Sequence, residues 1–217
     1  MTKDSLEESL EVEVKFLVSD LEELRDRLLS LGAELKKNRI YEQNILFDNP
    51  WQGLARQGKL LRLRQDAAAR ITFKGMSDHQ IDSEVRVREE IEIGIDDFDK
   101  AVSILERIGF EKQRIYEKYR ETFTLNDLEV VLDEMPFGEF VELEGAELSI
   151  RKGADALQLD WNKRIIENYL ALNAKLKSHY DLPFDDITFE NFSTYDFPGT
   201  DDMAEVIHAN GIKDERE

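Results

Sequence analysis

In Glu11-Val12-Glu13-Val14-Lys15-Phe16 every odd position is charged and every even position apolar, and the same alternation returns in one short run after another. Leu61-Arg62-Leu63-Arg64 puts both arginines on one side. Glu84, Arg86, Arg88, Glu90 and Glu92 share a side opposite Val85, Val87, Ile91 and Ile93, with Glu89 out of pattern. Lys118 and Arg120 lie opposite Tyr119 and Phe123, and Glu142 and Glu144 opposite Val141 and Leu143, while Lys74 and Asp133 end the apolar runs Ile71-Thr-Phe and Val130-Val-Leu. Residues of equal parity on a strand share one face and stand about 6.7 Å apart. One such strand is an ordinary amphipathic strand with its charges in water. Six or more are a different matter. Only two strongly amphipathic helices are at hand to cover apolar faces, and the charged faces mix Arg and Glu with little Ser, Thr or Lys between them. About eight antiparallel strands can close into a barrel just wide enough to hold a small ligand. With helices over the apolar outside, the charges line the inside. The expected fold is therefore α+β, a closed eight-stranded tunnel whose interior charges must pair with each other, a metal or a ligand.

The two helices are readable from their ends. Ser19 to Gly32 opens on a Ser-x-x-Glu capping box and stops on glycine, and Asp96 to Gly109 has the same form, with Phe98, Val102, Leu105 and Ile108 on one face. Their surroundings match as well. Glu11-Val-Glu13-Val and Glu90-Ile-Glu92-Ile precede them, Arg39-Ile-Tyr-Glu42 and Arg114-Ile-Tyr-Glu117 follow, and the offset drifts from 79 to 77 to 75 residues. A strand–helix–strand unit used twice, with a pseudo-twofold arrangement, is expected. Residues 9–172 read as the tunnel domain, with helical segments at Ile150 to Leu157 and Ile165 to His179. Residues 173–197 read as a helix and strap, in which Leu182, Phe184, Ile187, Phe189 and Phe192 cover an apolar outer wall or the partner subunit of a homodimer. Residues 198–217 have little to bury and read as a loose tail.

Composition narrows the chemistry. Among 217 residues, 48 Asp+Glu outnumber 29 Lys+Arg, and a net charge of −19 repels nucleic-acid backbones and anionic membranes at long range. No apolar h-region opens the chain and no apolar run is long enough to span a bilayer, so a cytoplasmic protein is expected. The absence of cysteine excludes disulfides, thiol nucleophiles and Cys-based zinc sites, and the three scattered histidines do not make a metal site. Metal chemistry here must be carboxylate chemistry. The inward cations Lys15, Arg62, Arg64, Lys74, Arg86, Arg88, Lys118 and Arg120 suit phosphate oxygens, which guanidinium forks match in pairs. The inward carboxylates Glu11, Glu13, Glu84, Glu90, Glu92, Asp133, Glu142 and Glu144 offer the hard oxygens preferred by Mg²⁺ or Mn²⁺. A polyphosphate needs both at once.

Glu11-x-Glu13-x-Lys15, Leu61-Arg-Leu-Arg64, the Lys-Gly pair at Lys74, Arg88-x-Glu90-x-Glu92, Lys118-x-Arg120, Asp133 and Glu142-x-Glu144, taken in order, resemble the CYTH superfamily of triphosphate tunnel metalloenzymes. Class IV adenylyl cyclases, thiamine triphosphatases and inorganic triphosphatases belong to it. The resemblance spans about residues 9 to 172, and Phe47-Asp48 resembles a further element of the family. It implies an eight-stranded tunnel, Mg²⁺ or Mn²⁺ dependence and a small-molecule triphosphate substrate. By that resemblance Glu11, Glu13, Glu142 and Glu144 hold metal, and Lys15, Arg62, Arg64, Lys74, Arg88, Lys118 and Arg120 grip phosphate. Lys15, Lys118, Arg120 and Asp133 then serve the reacting centre. Glu84, Arg86, Glu90 and Glu92 are further tunnel residues that equally suit an ion-pair ladder. Trp51 and Trp161 read as packing residues, and Tyr41 and Tyr116 as core. The leading expectation is a triphosphate hydrolase, with cyclisation of ATP as the competitor and a non-catalytic polyphosphate or nucleotide sensor as the third.

Overall fold

The computed structural model describes residues 10–76, 86–195 and 200–208. The chain runs β1 (Leu10–Val18), α1 (Leu21–Ser30), β2 (Glu34–Asp48), β3 (Leu60–Gln65), β4 (Ala69–Met76), β5 (Arg86–Ile95), α2 (Phe98–Arg107), β6 (Glu111–Leu125), β7 (Leu128–Met135), β8 (Gly138–Glu144), α3 (Glu147–Ala156), α4 (Tyr169–Tyr180), α5 (Phe189–Ser193) and α6 (Thr200–His208). All strand pairs are antiparallel, in the order β1-β5-β4-β3-β2-β6-β7-β8, and β1 also pairs with β8, so the order closes on itself as a barrel. Exchanging each strand with the one four places away in sequence reproduces this ring. A pseudo-twofold axis therefore passes between β1 and β5 and again between β2 and β6, relating β1-α1-β2-β3-β4 to β5-α2-β6-β7-β8.

The repeated Arg-Ile-Tyr-Glu does not obey that symmetry face for face. In β2 Glu42 points into the barrel and Tyr41 is 39 % exposed, whereas in β6 Tyr116 is buried and Glu117 lies outside, accepting a backbone bond from Phe189 N at 3.0 Å. One residue of slip moves every side chain to the other face. The β2–β6 ladder carries irregularities at Leu35/Lys37, Lys37/Ile40 and Leu46/Phe47 where such a slip is absorbed. Tyr41 is accordingly not core; it packs edge-on against Tyr119.

Helix ends follow the chemistry of their caps. Asp20, one residue beyond the expected Ser19, caps α1 by accepting from Glu23 N at 2.9 Å, and Asp97 caps α2 by accepting from Lys100 N at 3.0 Å. Gly32 and Gly109 stop the two helices at φ values of 82° and 96°, the left-handed region that glycine enters without strain. Outside the barrel, α1 and α3 bury Leu24, Leu28, Ile150 and Ala154 against Val14, Phe16, Val130 and Val141, and α2 buries Val102 and Leu105 against Ile45, Phe47 and Leu63.

A third apolar cluster positions the site. The inward residues Leu46, Tyr116, Met135 and Phe140 at one barrel end meet Tyr169, Leu172 and Leu176 of α4, so this helix plugs that end. Ile165, expected in the helix, instead exchanges backbone bonds with Lys15, and Ile187 bridges to Tyr116, tying the strap to the wall. The loose-tail expectation is corrected over 200–208, where α6 docks with Met203 and Ile207 buried in the same cluster. Residues 209–217 lie outside the described set. Trp51 is 66 % exposed rather than packed, while Trp161 lies against the α1–α3 cluster beneath Arg151 and Arg164. Among the described residues no helix is long and apolar enough to cross a membrane.

Candidate active site

The tunnel interior is a continuous polar network. Lys15 on β1 is 1 % exposed, with Nζ 3.5 Å from both Glu13 Oε1 and Glu142 Oε1. The β1–β8 register that places Lys15 opposite Glu142 and Glu13 opposite Glu144 produces this arrangement. Two strands along the wall, Asp133 of β7, 0 % exposed, is the centre of a cationic knot. Arg120 grips it with both arms of its fork, at 2.7 and 2.6 Å, and reaches Glu142 at 2.5 Å. Lys118 donates to Asp133 at 3.1 Å and Tyr169 OH donates to it at 2.9 Å. A fully buried carboxylate with that many charge-assisted donors is an anchor for the cations around it.

Further ion pairs continue around the ring. Glu42 of β2 lies 3.5 Å from Arg64 and 3.6 Å from Lys118 and accepts from Asn44 Nδ2 at 2.9 Å. Arg62 donates to Tyr116 OH at 3.0 Å and to Thr72 Oγ1 at 3.3 Å, and stands 3.5 Å from Glu90, which pairs with Lys74 at 2.8 Å. Glu92 accepts from Thr72 Oγ1 at 2.8 Å and lies 3.4 Å from Arg70, which also pairs with Asp66.

Charge is unevenly distributed along the axis. A cavity of about 90 Å³ at the α4 end is lined by Lys15, Arg62, Arg64, Lys74, Lys118 and Arg120, with Glu13, Glu142, Tyr116 and Tyr169 among them. At the other mouth a cavity of about 200 Å³ is lined by Glu42, Asp66, Glu90, Glu92, Glu129 and Glu144, against Lys37, Arg64, Arg70 and Arg120. Arg64 and Arg120 line both. An anion entering the tunnel is drawn to the α4 end, and a cation to the acidic mouth.

The titration behaviour follows from the same packing. Burial by itself raises the Glu42 carboxyl, but Lys118, Arg64, Arg120 and Arg62 outweigh it and hold the group well below the ordinary carboxylate range. Burial likewise opposes ionisation of Glu142, and Arg120, Lys15, Lys118 and Lys74 reverse it. Burial and then the Asp133 charge push the Tyr169 phenol well above its usual value, so it stays a neutral donor. The Arg64 guanidinium is lowered by burial and next by Arg62 beside it. For a carboxyl lowered on folding, the stability it contributes is present above its unfolded value and lost as pH falls through the folded one. Glu42→Gln is therefore expected to cost stability at pH 7 and to flatten the decline of melting temperature below about pH 4. A wild-type-like acid limb in this variant, measured by circular dichroism, would show that Glu42 carries no such linkage.

The tunnel brings together Glu13, Lys15, Arg62, Arg64, Lys74, Lys118, Arg120, Asp133 and Glu142, as expected from their parity, while Glu144, Glu90 and Glu92 line the opposite mouth. The backbone register sets Glu11 opposite Arg88 and Glu13 opposite Arg86, and Glu84 lies outside the described residues. Asp48 is not a tunnel residue. It is buried and accepts N–H bonds from Asn49, Leu54 and Ala55 at 2.7, 3.0 and 2.9 Å, holding the loop that feeds β3. Glu42, Asn44, Thr72, Tyr116 and Tyr169 belong to the network and were not expected in it.

Among the described residues no three carboxylate or imidazole side chains converge on one metal-sized point. That agrees with the way Mg²⁺ binds in phosphate sites, through one or two carboxylates plus the substrate's own oxygens. Glu13 and Glu142, both within reach of the basic cavity, are a fitting pair of hard-oxygen donors for such an ion.

Comparison with known proteins adds an independent line. A family model described as CYTH domain matches residues 9–172. A Methanocaldococcus jannaschii protein named a putative adenylate cyclase is 31 % identical over 137 residues, 62 % of this chain and 76 % of that one. Adenylate cyclase CyaB of Aeromonas hydrophila is 28 % identical over 169 residues, 76 % of this chain and 81 % of its own. Among solved structures, one titled a putative adenylate cyclase from Vibrio parahaemolyticus superposes with a TM-score of 0.68 at 22 % identity, covering 76 % of this chain and 98 % of that one.

Proposed function

Since the chain belongs to the CYTH domain family, we propose that it is a divalent-metal-dependent enzyme that draws a small-molecule triphosphate into the tunnel and hydrolyses it. The observation that carries this reading is the convergence of Lys15, Arg62, Arg64, Lys74, Lys118 and Arg120 on one enclosed cavity that Glu13 and Glu142 also face. Phosphoryl transfer asks mainly for positioning and charge neutralisation. The guanidinium forks and lysines take the phosphate oxygens, and Asp133 keeps Arg120 and Lys118 aimed inward. A glutamate of the Glu13/Glu142 pair orients a water in line with the terminal phosphorus. The new P–O bond forms from that water, the bond to the bridging oxygen breaks, and orthophosphate and a diphosphate group leave. Glu13 and Glu142, with Glu11 and Glu144 from the same expected set, would hold Mg²⁺ or Mn²⁺, and the ion would supply neutralisation of the phosphate charge.

A second reading is supported by the names of the two protein relatives. In a cyclase the 3′-hydroxyl of ATP attacks the α-phosphorus and pyrophosphate leaves, and the same cationic grip serves. Product analysis with Mg²⁺ and with Mn²⁺ on tripolyphosphate, ATP and thiamine triphosphate separates the two. Orthophosphate release is expected, cyclic AMP would establish cyclisation, and tight binding without turnover would make the chain a sensor.

Arg64 offers a specific check. Its charge is disfavoured by burial and by Arg62, so removing it relieves repulsion in the empty tunnel. Arg64→Ala is expected to weaken triphosphate binding by about tenfold or more while the melting temperature moves by only a few degrees. A large loss of stability with wild-type binding would make Arg64 a wall ion pair instead.

A further inference from the structure

On β6, Tyr116, Lys118 and Arg120 share the inward face, with about 6.7 Å between successive residues. Tyr116 therefore continues the row of tunnel cations toward α4. Its ring is buried in the apolar cluster with Leu46, Met135 and Phe140, while the residue also lines the basic cavity of about 90 Å³. The polar tip is fixed by Arg62, another lining residue, whose Nη1 donates to Tyr116 OH at 3.0 Å. The slip between the two Arg-Ile-Tyr-Glu segments decides which group stands here. It turns Glu117 outward, where it accepts from Phe189 N, and turns the phenol inward. A carboxylate at this place would repel phosphate, whereas a phenol adds a donor and no charge.

The phenol still has a hydrogen to give. A guanidinium carries donors only, so Tyr116 OH is the acceptor toward Arg62 and keeps its own hydrogen for another partner. Among the described residues no side chain or backbone atom accepts it. Tyr116 is only 8 % exposed, and a donor left without an acceptor at that depth is destabilising until a ligand supplies one. The bond from Arg62 also polarises the phenol, because a hydroxyl that accepts from a cation donates more strongly in turn. Phosphate oxygens are the matching acceptors.

We propose that Tyr116 is a substrate-binding residue of the tunnel, donating its phenolic hydrogen to a phosphate oxygen while Arg62 holds the phenol by a lone pair. This rests on the triphosphate reading of the tunnel and deepens it, because it adds a neutral donor to a grip otherwise made of cations. Thr72 provides an internal comparison. It anchors the other arm of the same fork, accepting from Arg62 Nη2 at 3.3 Å, but it is 0 % exposed and does not line the basic cavity. A side chain that merely steadies Arg62 behaves like Thr72, and one that touches phosphate matters more.

Calorimetric titration of the full chain with tripolyphosphate tests this, with EDTA present so that binding is read without metal-dependent turnover. Tyr116→Phe is expected to weaken binding by about tenfold or more, the scale of a hydrogen bond to a charged group, and by at least about threefold more than Thr72→Val does. Its melting temperature should stay within a few degrees of the wild type, because the ring keeps its place in the apolar cluster. A smaller margin between the two variants would overturn the proposal, and so would a wild type that does not bind tripolyphosphate at all. The contact and the enzyme fail separately. The expected loss in Tyr116→Phe, without turnover of any triphosphate in Mg²⁺, leaves the contact standing and removes the enzyme. Turnover by the wild type, with Tyr116→Phe binding just as tightly, does the reverse.

Discussion

Asp133→Ala is expected to lower stability by about 3 kcal/mol, a fall in melting temperature of roughly 10 °C, and to depress turnover at the same time. Asp133 is fully buried and is the common partner of Arg120, Lys118 and Tyr169. Truncating it leaves two cations in a low-dielectric wall with only Glu42 and Glu142 to balance them, and removing one partner of a buried ion pair is far costlier than exchanging both for apolar groups. The same change frees the Arg120 fork to swing away from the substrate. Arg120→Ala in the Asp133→Ala background should therefore cost much less than in the wild type, a coupling read by a double-mutant cycle. Loss of turnover with an unchanged melting curve would instead place Asp133 at the reacting atoms.

The second large effect is expected at Glu13. It faces the basic cavity two residues from Lys15, and its register partner is Glu144. Lys15 balances it at 3.5 Å, and on the proposed reading the carboxylate would serve as a donor to the divalent ion. Glu13→Gln keeps the shape and removes the charge. Turnover is expected to fall at least about a hundredfold, the scale of one lost electrostatic contact in a transition state, with little change in melting temperature. A fully active Glu13→Gln protein would leave this glutamate as the partner of Lys15 and nothing more.

Much of the tunnel could be read in the sequence because period-two alternation exposes a face only when several charges share it. Glu13 with Lys15, Arg62 with Arg64, Lys118 with Arg120, and Glu142 with Glu144 all announce themselves in this way, and all four pairs line the tunnel or its mouths. Glu42, Asn44 and Thr72 are buried in the same interior, but Tyr41 and Gln43 are polar too, so β2 shows no clean contrast between its faces. Thr72 is one small hydroxyl between Ile71 and Phe73. Tyr169 stands on a helix behind the barrel end, and no local periodicity relates it to strands so distant in sequence. The Arg-Ile-Tyr-Glu repeat pointed correctly to a duplicated unit and wrongly to equivalent faces, because β2 is irregular at several points where β6 pairs with it. Hydrophobic positions of the tail were too few to reveal that Met203 and Ile207, with Val206 beside them, dock α6.

The most direct test of the account is phosphate release from tripolyphosphate and ATP by the unaltered protein, first in EDTA and then after excess Mg²⁺ or Mn²⁺ is restored. The convergence of tunnel cations on one cavity beside Glu13 and Glu142 predicts no release in EDTA and full recovery with the metal. Undiminished release in EDTA, or no turnover of either compound under any condition, would contradict it.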